Sequence, residues 1–285
     1  MASKDIYTKV SEHYSAASQA TSSKYSSAVA KSFGYTDEEL ADAPEGSNLG
    51  LSCGNPLAMA SIAEGEVVVD LGSGAGFDVF QAARKVGPSG KVIGVDMNKD
   101  MLAKANKIKS DTDATNVTFV EARITDMSHV IDSDKADCII SNCVVNLVPA
   151  DEKPLVFREM FRLLRPGGRV AISDILARKP LPEKLKADMA MYVGCVAGAS
   201  QVGEYEEYLK DAGFKDILVT DTKSDLNVYL DTNPDGSSKG QCCGGPKPEK
   251  TTGCCATSNE YISPTESDLN EWAGMWSFRI YAVKN

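Results

Sequence analysis

The chain has 285 residues, of which 42% are hydrophobic and 25% are charged. This balance is typical of a globular protein with one large core or two domains, and it excludes an intrinsically disordered chain. The formal net charge of −10 argues against a nucleic-acid or anionic-membrane partner, because both require a basic face.

The sequence shows no secretory signal and no membrane span. Its first residues, MASKDIYTKVSEHYS, lack a basic segment followed by an apolar run. No stretch approaches the roughly 18 apolar residues that cross a bilayer. We therefore expect a cytoplasmic protein, a monomer without membrane or nucleic-acid partners, whose eight cysteines start as reduced thiols.

Residues 1–52 are predicted to form a helical cap. Tyr7, Val10, Tyr14 and Ala17 recur at helical spacing. Two roles remain open for this segment, namely packing over a sheet edge and forming a lid over a ligand.

From residue 66 onward, predicted strands and helices alternate. The first strands are short, nearly continuous apolar runs rich in β-branched residues. This pattern predicts an α/β fold with a mostly parallel seven-stranded sheet covered by helices on both faces. The predicted strands are 66–71, 91–95, 117–121, 136–141, 169–175, 215–220 and 277–283, and the predicted helices include 78–86, 99–109, 152–164, 181–193 and 204–211.

The composition divides the rest of the chain. Residues 53–180 form the predicted cofactor-binding core, and residues 181–222 form substrate-side helices and the sixth strand. Residues 223–270 are rich in Gly, Ser, Thr, Pro and Lys, so we expect a flexible insert unless a cross-link orders it. Residues 271–285 supply the last strand.

A glycine-rich turn follows the first predicted strand. Residues 69–76 contain the pattern D-x-G-x-G-x-G, with Asp70, Gly72, Gly74 and Gly76, in place of the G-x-G-x-x-G of dinucleotide sites. Glycines let the backbone approach a ligand, and the next helix begins with unpaired amides. An acid before the glycines favours a ligand with an ammonium group and no pyrophosphate, which describes the methionine end of S-adenosylmethionine.

A second acid ends the next predicted strand. Asp96 lies twenty residues after Gly76, where a carboxylate can accept hydrogen bonds from both ribose hydroxyls. The neighbouring Met97 is suited to packing on adenine. Two such signals in one βαβ unit favour a nucleoside ligand over a simple tight turn.

Residues 60–220 and the last strand resemble the class I S-adenosylmethionine-dependent methyltransferases, which have a Rossmann-like fold. The turn Arg165-Pro166-Gly167-Gly168 before the fifth strand also matches that family. The resemblance implies S-adenosylmethionine as cofactor, with Asp70 and the three glycines around its methionine moiety. It places Asp96 on the ribose, Arg123 and Ile124 beside the adenine, and Asn142, Val144 and Leu147 at the sulfonium end.

Three cysteines lie in loops that can converge over the cofactor crevice. Cys53, Cys143 and Cys195 each have glycine, asparagine or other small residues as neighbours. Each also has a simpler interpretation as a small buried hydrophobe. For Cys138, inside the fourth predicted strand, that simpler interpretation is favoured.

The contexts of these cysteines, in segments 48–56, 140–147 and 192–199, closely resemble the arsenite methyltransferase family. The resemblance covers most of residues 36–220, and it implies that the three thiolates bind trivalent arsenic for methylation and detoxification. Arsenic is a soft acceptor with a lone pair, so it needs no general base, unlike most oxygen, nitrogen or carbon acceptors. The chain has only two histidines, at positions 13 and 129, which agrees weakly with such an acceptor.

Methyl transfer formally oxidises arsenic, so a reductant must supply electrons. Many family members carry a further cysteine upstream of the Cys53 position, whereas residues 1–52 contain none. We expect a small thiol such as glutathione, or thioredoxin, as co-substrate. The predicted insert contains two adjacent cysteine pairs, Cys242-Cys243 and Cys254-Cys255. These pairs could act as redox groups, as arsenic-capturing ligands, as zinc ligands or in a disulfide-stapled loop.

Two other functions remain open from the sequence. One is methylation of carbon or oxygen in a small organic molecule, such as a quinone or lipid precursor, with the cysteines serving only in packing. The other is metalloid sequestration without turnover. The intact residues Asp70 and Asp96 and the three glycines argue against that last function.

Overall fold

The computed structural model describes residues 3–19, 23–232 and 274–285. Its strands are β1 (Val67–Leu71), β2 (Lys91–Asp96), β3 (Val117–Glu121), β4 (Ala136–Asn142), β5 (Leu164–Ala177), β6 (Lys215–Asp221) and β7 (Met275–Val283). Its helices are α1 (Ser3–Ser18), α2 (Ser23–Ser32), α3 (Asp37–Asp42), α4 (Leu57–Ala60), α5 (Phe77–Val86), α6 (Lys99–Asp111), α7 (Lys153–Leu163), α8 (Glu183–Lys186), α9 (Met189–Val193), α10 (Val202–Ala212) and α11 (Val228–Asp231).

The seven strands form one sheet in the order β3-β2-β1-β4-β5-β7-β6. Strands β1 to β5 pair with one another in parallel, and β7 runs antiparallel to both β5 and β6. The mostly parallel seven-stranded sheet predicted from the alternating pattern is therefore confirmed. Of the described helices, none is long and apolar enough to cross a bilayer.

The central strands are buried on both faces of the sheet, to which successive side chains of a strand point in turn. On β1, Val68 packs in a cluster with Val79 and other residues of α5. The next residue, Val69, packs with Phe157 of α7. Two helical layers thus enclose the central strands, which explains why these strands are continuous apolar runs.

The strand order reverses between β1 and β4, which pair directly although β2 and β3 separate them in sequence. At such a switch point the two following connections leave toward opposite faces, so a crevice opens at the carboxyl ends of the strands. Leu71 pairs with Ser141 at this end. The glycine-rich turn and the Asn142–Leu147 segment therefore emerge side by side.

Two boundaries differ from the sequence predictions. The helix predicted over residues 181–193 is divided into α8 and α9, because the Asp188 side chain accepts hydrogen bonds from the Ala190 and Met191 amides and begins a new helix. The fifth strand begins at Leu164, before the turn predicted to precede it.

The beginning of the predicted insert is folded. Leu226 is fully buried, and α11 packs on α2. Residues 223–232 thus belong to the folded protein, which corrects the predicted start of the flexible insert. The two tail cysteine pairs lie outside the described residues.

Candidate active site

A cleft of about 1070 Å³, counting the space at its open mouth, lies at the carboxyl ends of β1, β2 and β4. Most of the predicted cofactor residues line its wall, namely Asp70, Gly72, Gly74, Asp96, Met97, Arg123, Ile124, Asn142, Val144 and Leu147. Tyr7, Val10, Ser11 and Tyr14 of α1 form the opposing wall.

The glycine-rich turn serves both the cleft and the packing beneath it. Gly72 has a φ of 69°, and a Cβ at this position would lie 2.5 Å from both methyl groups of Val144. A side chain here would therefore strain the backbone and push Val144 from the wall. Gly76 is not one of the residues that line the cleft wall, and a Cβ there would lie 2.7 Å from the Phe80 ring, so a glycine at this position also permits the packing of α5.

The cleft carries buried negative charge near the glycine turn. Asp70 is only 3% exposed, and its carboxylate has no hydrogen-bond donor among the described residues. Burial, with the nearby Asp78 and Asp96 carboxylates, raises the pKa of Asp70 well above its usual value. Burial likewise raises the pKa of Asp78 to about 6. A cationic group in the cleft would compensate these carboxylates.

Asp96 is oriented by the backbone around it. Its Oδ2 accepts a hydrogen bond from the Gly74 amide and its Oδ1 accepts one from the Asn98 amide, both at 2.8 Å. Each oxygen retains a lone pair for a further donor.

The guanidinium of Arg123 stacks 4.2 Å from the centre of the Tyr7 ring and so joins the wall to α1.

The structure brings together the three cysteines predicted as ligands. Cys53 precedes α4, Cys143 follows β4, and Cys195 follows α9. The sulfurs of Cys53 and Cys143 lie within 4.8 Å of each other, and all three cysteines belong to one buried cluster. Cys195 Sγ also donates to the Cys143 carbonyl at 2.7 Å. Three segments that are distant in sequence therefore place their sulfurs in one cluster.

These thiols are held away from water. Cys53, Cys143 and Cys195 are 0%, 6% and 2% exposed, and none forms a disulfide. Burial raises the pKa of Cys53 to about 12 and that of Cys143 well above its usual value. A hydrogen bond to Cys143, together with burial, raises the pKa of Cys195 in the same way. The resting cluster is therefore protonated, and a ligand must displace the thiol protons.

Asn142 connects the thiol cluster with the charged part of the cleft. Its Oδ1 accepts a hydrogen bond from the Cys53 amide at 3.2 Å. Its Nδ2 donates to Asp78 Oδ2 and to the Gly54 carbonyl, each at 3.0 Å. One side chain thus fixes the Cys53 loop relative to the cofactor side of the cleft.

Several site residues were not identified from the sequence. The Tyr14 hydroxyl lies 3.8 Å from Cys195 Sγ, and the Tyr229 hydroxyl donates to the Ser52 carbonyl at 2.6 Å. The sequence already placed Tyr14 on a helical face of a segment that could form a lid, and this position could have identified it as a site residue. Tyr229 lies in a segment whose composition gave no signal for structure.

Asp174 and Lys153 form a second buried polar group beside the thiols. Burial raises the pKa of Asp174 to about 7, an effect that Lys153 partly offsets. Burial lowers the pKa of Lys153 to about 8. A charged residue inside the apolar run of β5 was a sequence signal for a functional group.

Cys138 lies apart from the cluster. It is fully buried in β4 and packs with Val68 and Val79 on the other face of the sheet. Its predicted role as a small buried hydrophobe is confirmed.

Comparisons with known proteins agree with this arrangement. Residues 62–213 match the family model described as "Methyltransferase domain". An arsenite methyltransferase of Halobacterium salinarum is 45% identical over 203 residues, which are 71% of this chain and 51% of that protein. The human arsenite methyltransferase is 34% identical over 154 residues, or 52% of this chain and 40% of that protein. The chain thus spans about half the length of the curated relatives it matches.

Solved structures show the same fold. CrArsM, an arsenic (III) S-adenosylmethionine methyltransferase from Chlamydomonas reinhardtii, matches with a TM-score of 0.59 and 24% identity over 90% of this chain and 73% of its own. Geranyl diphosphate C-methyltransferase from Streptomyces coelicolor A3(2) matches with a TM-score of 0.60 and 17% identity over 80% and 76% of the two chains. Since the family model covers more than half of its residues, the chain belongs to the methyltransferase domain family and has the class I S-adenosylmethionine-dependent methyltransferase fold.

Proposed function

We propose that this protein methylates trivalent arsenic, with S-adenosylmethionine as methyl donor and Cys53, Cys143 and Cys195 as arsenic ligands. The observation that carries the proposal is the convergence of three buried thiols beside the cleft. Arsenite and methylarsenite are the proposed substrates, and arsenic detoxification is the proposed role.

The cleft fits S-adenosylmethionine. When bound, this cofactor supplies an electrophilic methyl group on a sulfonium centre. Asp70 and Asp78 are buried carboxylates that would pair with its ammonium group, and Asp96 would accept from its ribose hydroxyls. Met97, Arg123 and Ile124 would hold the adenine, while Asn142, Val144 and Leu147 would surround the sulfonium end.

The thiol cluster fits trivalent arsenic, which is a soft acceptor that prefers sulfur ligands. When arsenite binds, three As–S bonds replace three As–O bonds, and each thiol proton leaves with a hydroxide as water. Thiols with raised pKa values can therefore bind arsenite without an external base. Three sulfurs leave the arsenic lone pair free to act as nucleophile.

The position of the cluster favours transfer into the cleft. Of the three cysteines, Cys143 lines the cleft wall. Arsenic bound through this sulfur lies next to the cofactor side, in a place where the thiols are almost inaccessible to water. Holding two reactants in such a site can supply much of the rate enhancement.

Each transfer raises arsenic formally from the trivalent to the pentavalent state. Another round requires two electrons, and we propose that a thiol reductant, glutathione or thioredoxin, supplies them. The tail cysteine pairs are alternative electron donors, because they are also thiols.

The alternative functions leave part of the site without a role. An organic carbon or oxygen acceptor gives no reason for three clustered thiols. A metalloid-sequestering protein gives no reason for the charged cleft around Asp70. Arsenic methylation uses both features.

Product analysis tests the proposal. Purified protein is mixed with S-adenosylmethionine, a thiol reductant and arsenite or methylarsenite, and products are separated by liquid chromatography with arsenic-specific mass detection. We expect methylated arsenicals from the wild type and from Cys138→Ser, and none from Cys143→Ser. Cys138 is the matched control, because it is also a buried cysteine and lies on β4, the strand that ends just before Cys143.

Cofactor binding is measured in parallel by isothermal titration calorimetry. Loss of methylation with retained S-adenosylmethionine binding in Cys143→Ser supports arsenic ligation. Failure of the wild type to methylate either arsenical while it binds the cofactor would sink the proposal, and so would full activity of Cys143→Ser.

A further inference from the structure

A buried carboxylate lies next to the thiol cluster. One oxygen of Asp174 and the sulfurs of Cys53 and Cys143 all lie within 4.8 Å of one another. The third thiol, Cys195, lies outside this group and donates a hydrogen bond to the Cys143 carbonyl at 2.7 Å. Cys143 lines the cleft, whereas Asp174 is not one of the residues of the cleft wall. Two sulfurs and one carboxylate oxygen thus gather in a buried group.

Hydrogen bonds hold the Asp174 carboxylate in one orientation. Its Oδ1 accepts from Asn146 Nδ2 at 2.9 Å and from the Ile175 amide at 3.0 Å, and its Oδ2 accepts from the Tyr205 hydroxyl at 3.2 Å. An ionised carboxylate offers about four lone-pair positions. Hydrogen bonds from Asn146, Ile175 and Tyr205 therefore orient this carboxylate before any cation binds.

Positive charge lies close to the same carboxylate. Lys153 is 3% exposed and donates hydrogen bonds to the Gly198 carbonyl and to Ser200 Oγ. Its ammonium group interacts electrostatically with Asp174. This charge would offset the one excess negative charge when two thiolates and a carboxylate surround a divalent ion.

We propose that Cys53, Cys143 and Asp174 form a three-ligand site for a thiophilic divalent cation of the Zn²⁺ and Cd²⁺ class. Zinc accepts thiolates together with a carboxylate oxygen, and a site with three protein ligands keeps the fourth tetrahedral position for water. Trivalent arsenic takes three sulfurs and keeps its lone pair, so the carboxylate ligates only the cation. Cation binding releases two thiol protons to solvent and changes no oxidation state.

A cation in this site occupies the sulfurs of Cys53 and Cys143, which are two of the three sulfurs that arsenite needs. The cation site rests on the geometry of the cluster, whereas its effect on catalysis rests on the proposed function. Cations of this class therefore inhibit arsenic methylation competitively with arsenite and leave S-adenosylmethionine affinity unchanged.

Cobalt titration tests the site. The full chain is used with its four tail cysteines changed to serine (C242S, C243S, C254S, C255S), so that the tail thiols cannot contribute. Co²⁺ is added under anaerobic conditions, and absorption spectra are recorded. A thiolate-to-Co²⁺ charge-transfer band and the visible bands of Co²⁺ report tetrahedral coordination that includes sulfur. We expect one Co²⁺ per chain, displaced by Zn²⁺ and by arsenite, and no such spectrum in the added variant Cys143→Ser.

The Asp174→Asn variant tests the carboxylate. Losing an outer-shell partner of a metal site costs roughly 10- to 100-fold in affinity, so losing a ligand should weaken Co²⁺ binding by at least about 100-fold. Arsenite affinity should stay within about threefold, since arsenic does not use the carboxylate. Asp137→Asn is the matched control, because Asp137 is also a largely buried strand carboxylate, 12% exposed in its side chain, outside the cluster.

Three results would overturn the proposal. The first is that Asp174→Asn binds Co²⁺ as tightly as the parent. The second is that Asp137→Asn loses as much Co²⁺ affinity as Asp174→Asn, and the third is that Asp174→Asn loses Co²⁺ and arsenite affinity to the same extent. If Asp174→Asn does not fold, zinc X-ray absorption on the parent decides. We expect two sulfurs with oxygen in the remaining positions, and any other sulfur count would contradict the site. Co²⁺ binding without arsenic methylation would sink only the proposed function.

Discussion

Asn142 is the residue on which the two halves of the site depend. Its amide accepts from the Cys53 backbone and donates to Asp78 and Gly54. A hydrogen bond from Asn142 to the Tyr35 hydroxyl at 2.9 Å adds a fourth partner. All of these partners are buried, so water cannot readily replace the amide.

Replacing Asn142 by alanine should therefore impair catalysis. Leaving a buried polar group without its partner costs about 1–3 kcal/mol, so we expect kcat/KM for arsenite to fall about 10- to 100-fold. Steady-state assays of methylated product measure the effect. Asn106→Ala is the control, because Asn106 is exposed on α6 and should leave kcat/KM unchanged. A decrease of less than about threefold in Asn142→Ala would contradict the role of this amide.

The carboxylates of the cleft predict a pH dependence of cofactor binding. Burial raises the pKa of Asp78 to about 6 and the pKa of Asp70 well above its usual value. Only the ionised carboxylates can pair with an ammonium group. S-adenosylmethionine affinity should therefore rise as the pH increases through these pKa values, and it should fall as the pH decreases below about 6.

Calorimetric titrations across this pH range measure the dependence. Asp78→Asn should remove the pH dependence of cofactor affinity that arises from Asp78 and retain the pH dependence that arises from Asp70. Affinity that is independent of pH, or that increases in acid, is the result that this explanation does not permit.

Among the secondary-structure elements, α1 contacts both sides of the site. Asn98, which follows β2, donates through Nδ2 to the Ser11 carbonyl at 2.9 Å and to Ser15 Oγ at 3.0 Å. On the same helix, Tyr14 reaches Cys195. These contacts favour the lid over the simple cap, the two roles that the sequence left open.

A lid should become more ordered when the cleft is filled. We expect S-adenosylmethionine to slow amide hydrogen exchange in residues 3–18, because bound cofactor would contact the wall formed by α1. Hydrogen-exchange mass spectrometry measures this change, with α10 as an internal reference outside the cleft wall. Exchange in α1 that does not respond to the cofactor would return this helix to the role of a packing cap.

The glycine turn makes a second prediction at this scale. Gly72→Ala places a Cβ against Val144 at a positive φ, which should lower the free energy of unfolding by at least about 1–2 kcal/mol. It should also weaken S-adenosylmethionine binding. Gly203→Ala in α10 is the control: no atom lies within 4 Å of its added Cβ, so a gain of about 0.5–1 kcal/mol is expected.

Urea unfolding and calorimetry measure the two quantities. If Gly72→Ala is as stable as the wild type and binds the cofactor equally well, the close approach of this turn to Val144 has no functional importance.

For the whole molecule, the sequence was informative wherever structure depends on local pattern. Alternating apolar runs predicted the strands because burial on both faces leaves a continuous apolar signature. The acid and glycines around Gly72 predicted the cleft because the motif, the turn and the ligand contacts lie in one short segment.

The geometry of the thiol cluster depends on contacts between distant segments. Family resemblance identified Cys53, Cys143 and Cys195, but local pattern could not place their sulfurs in contact. Both Cys143 and Cys195 adopt a left-handed backbone, with φ of 59° and 63°, which is uncommon for residues other than glycine and has no local sequence signature.

The polar residues behind the cluster were missed for a related reason. Asp174 lies within a strand predicted from its apolar neighbours, and its partners Asn146, Tyr205 and Lys153 come from other elements. A sequence pattern shows that such a charge is unusual, but not which residues compensate it. Tyr229 likewise belongs to a segment that folds only through tertiary contacts.

Arsenic X-ray absorption tests whether Cys53, Cys143 and Cys195 bind one arsenic atom. The sample is the full chain with its four tail cysteines changed to serine, loaded with one equivalent of arsenite. We expect three sulfur neighbours around arsenic, and fewer sulfurs with oxygen in their place after Cys195→Ser, while Cys138→Ser should change nothing. Arsenic coordinated mainly by oxygen, or three-sulfur coordination that survives Cys195→Ser, would contradict ligation by these three thiolates.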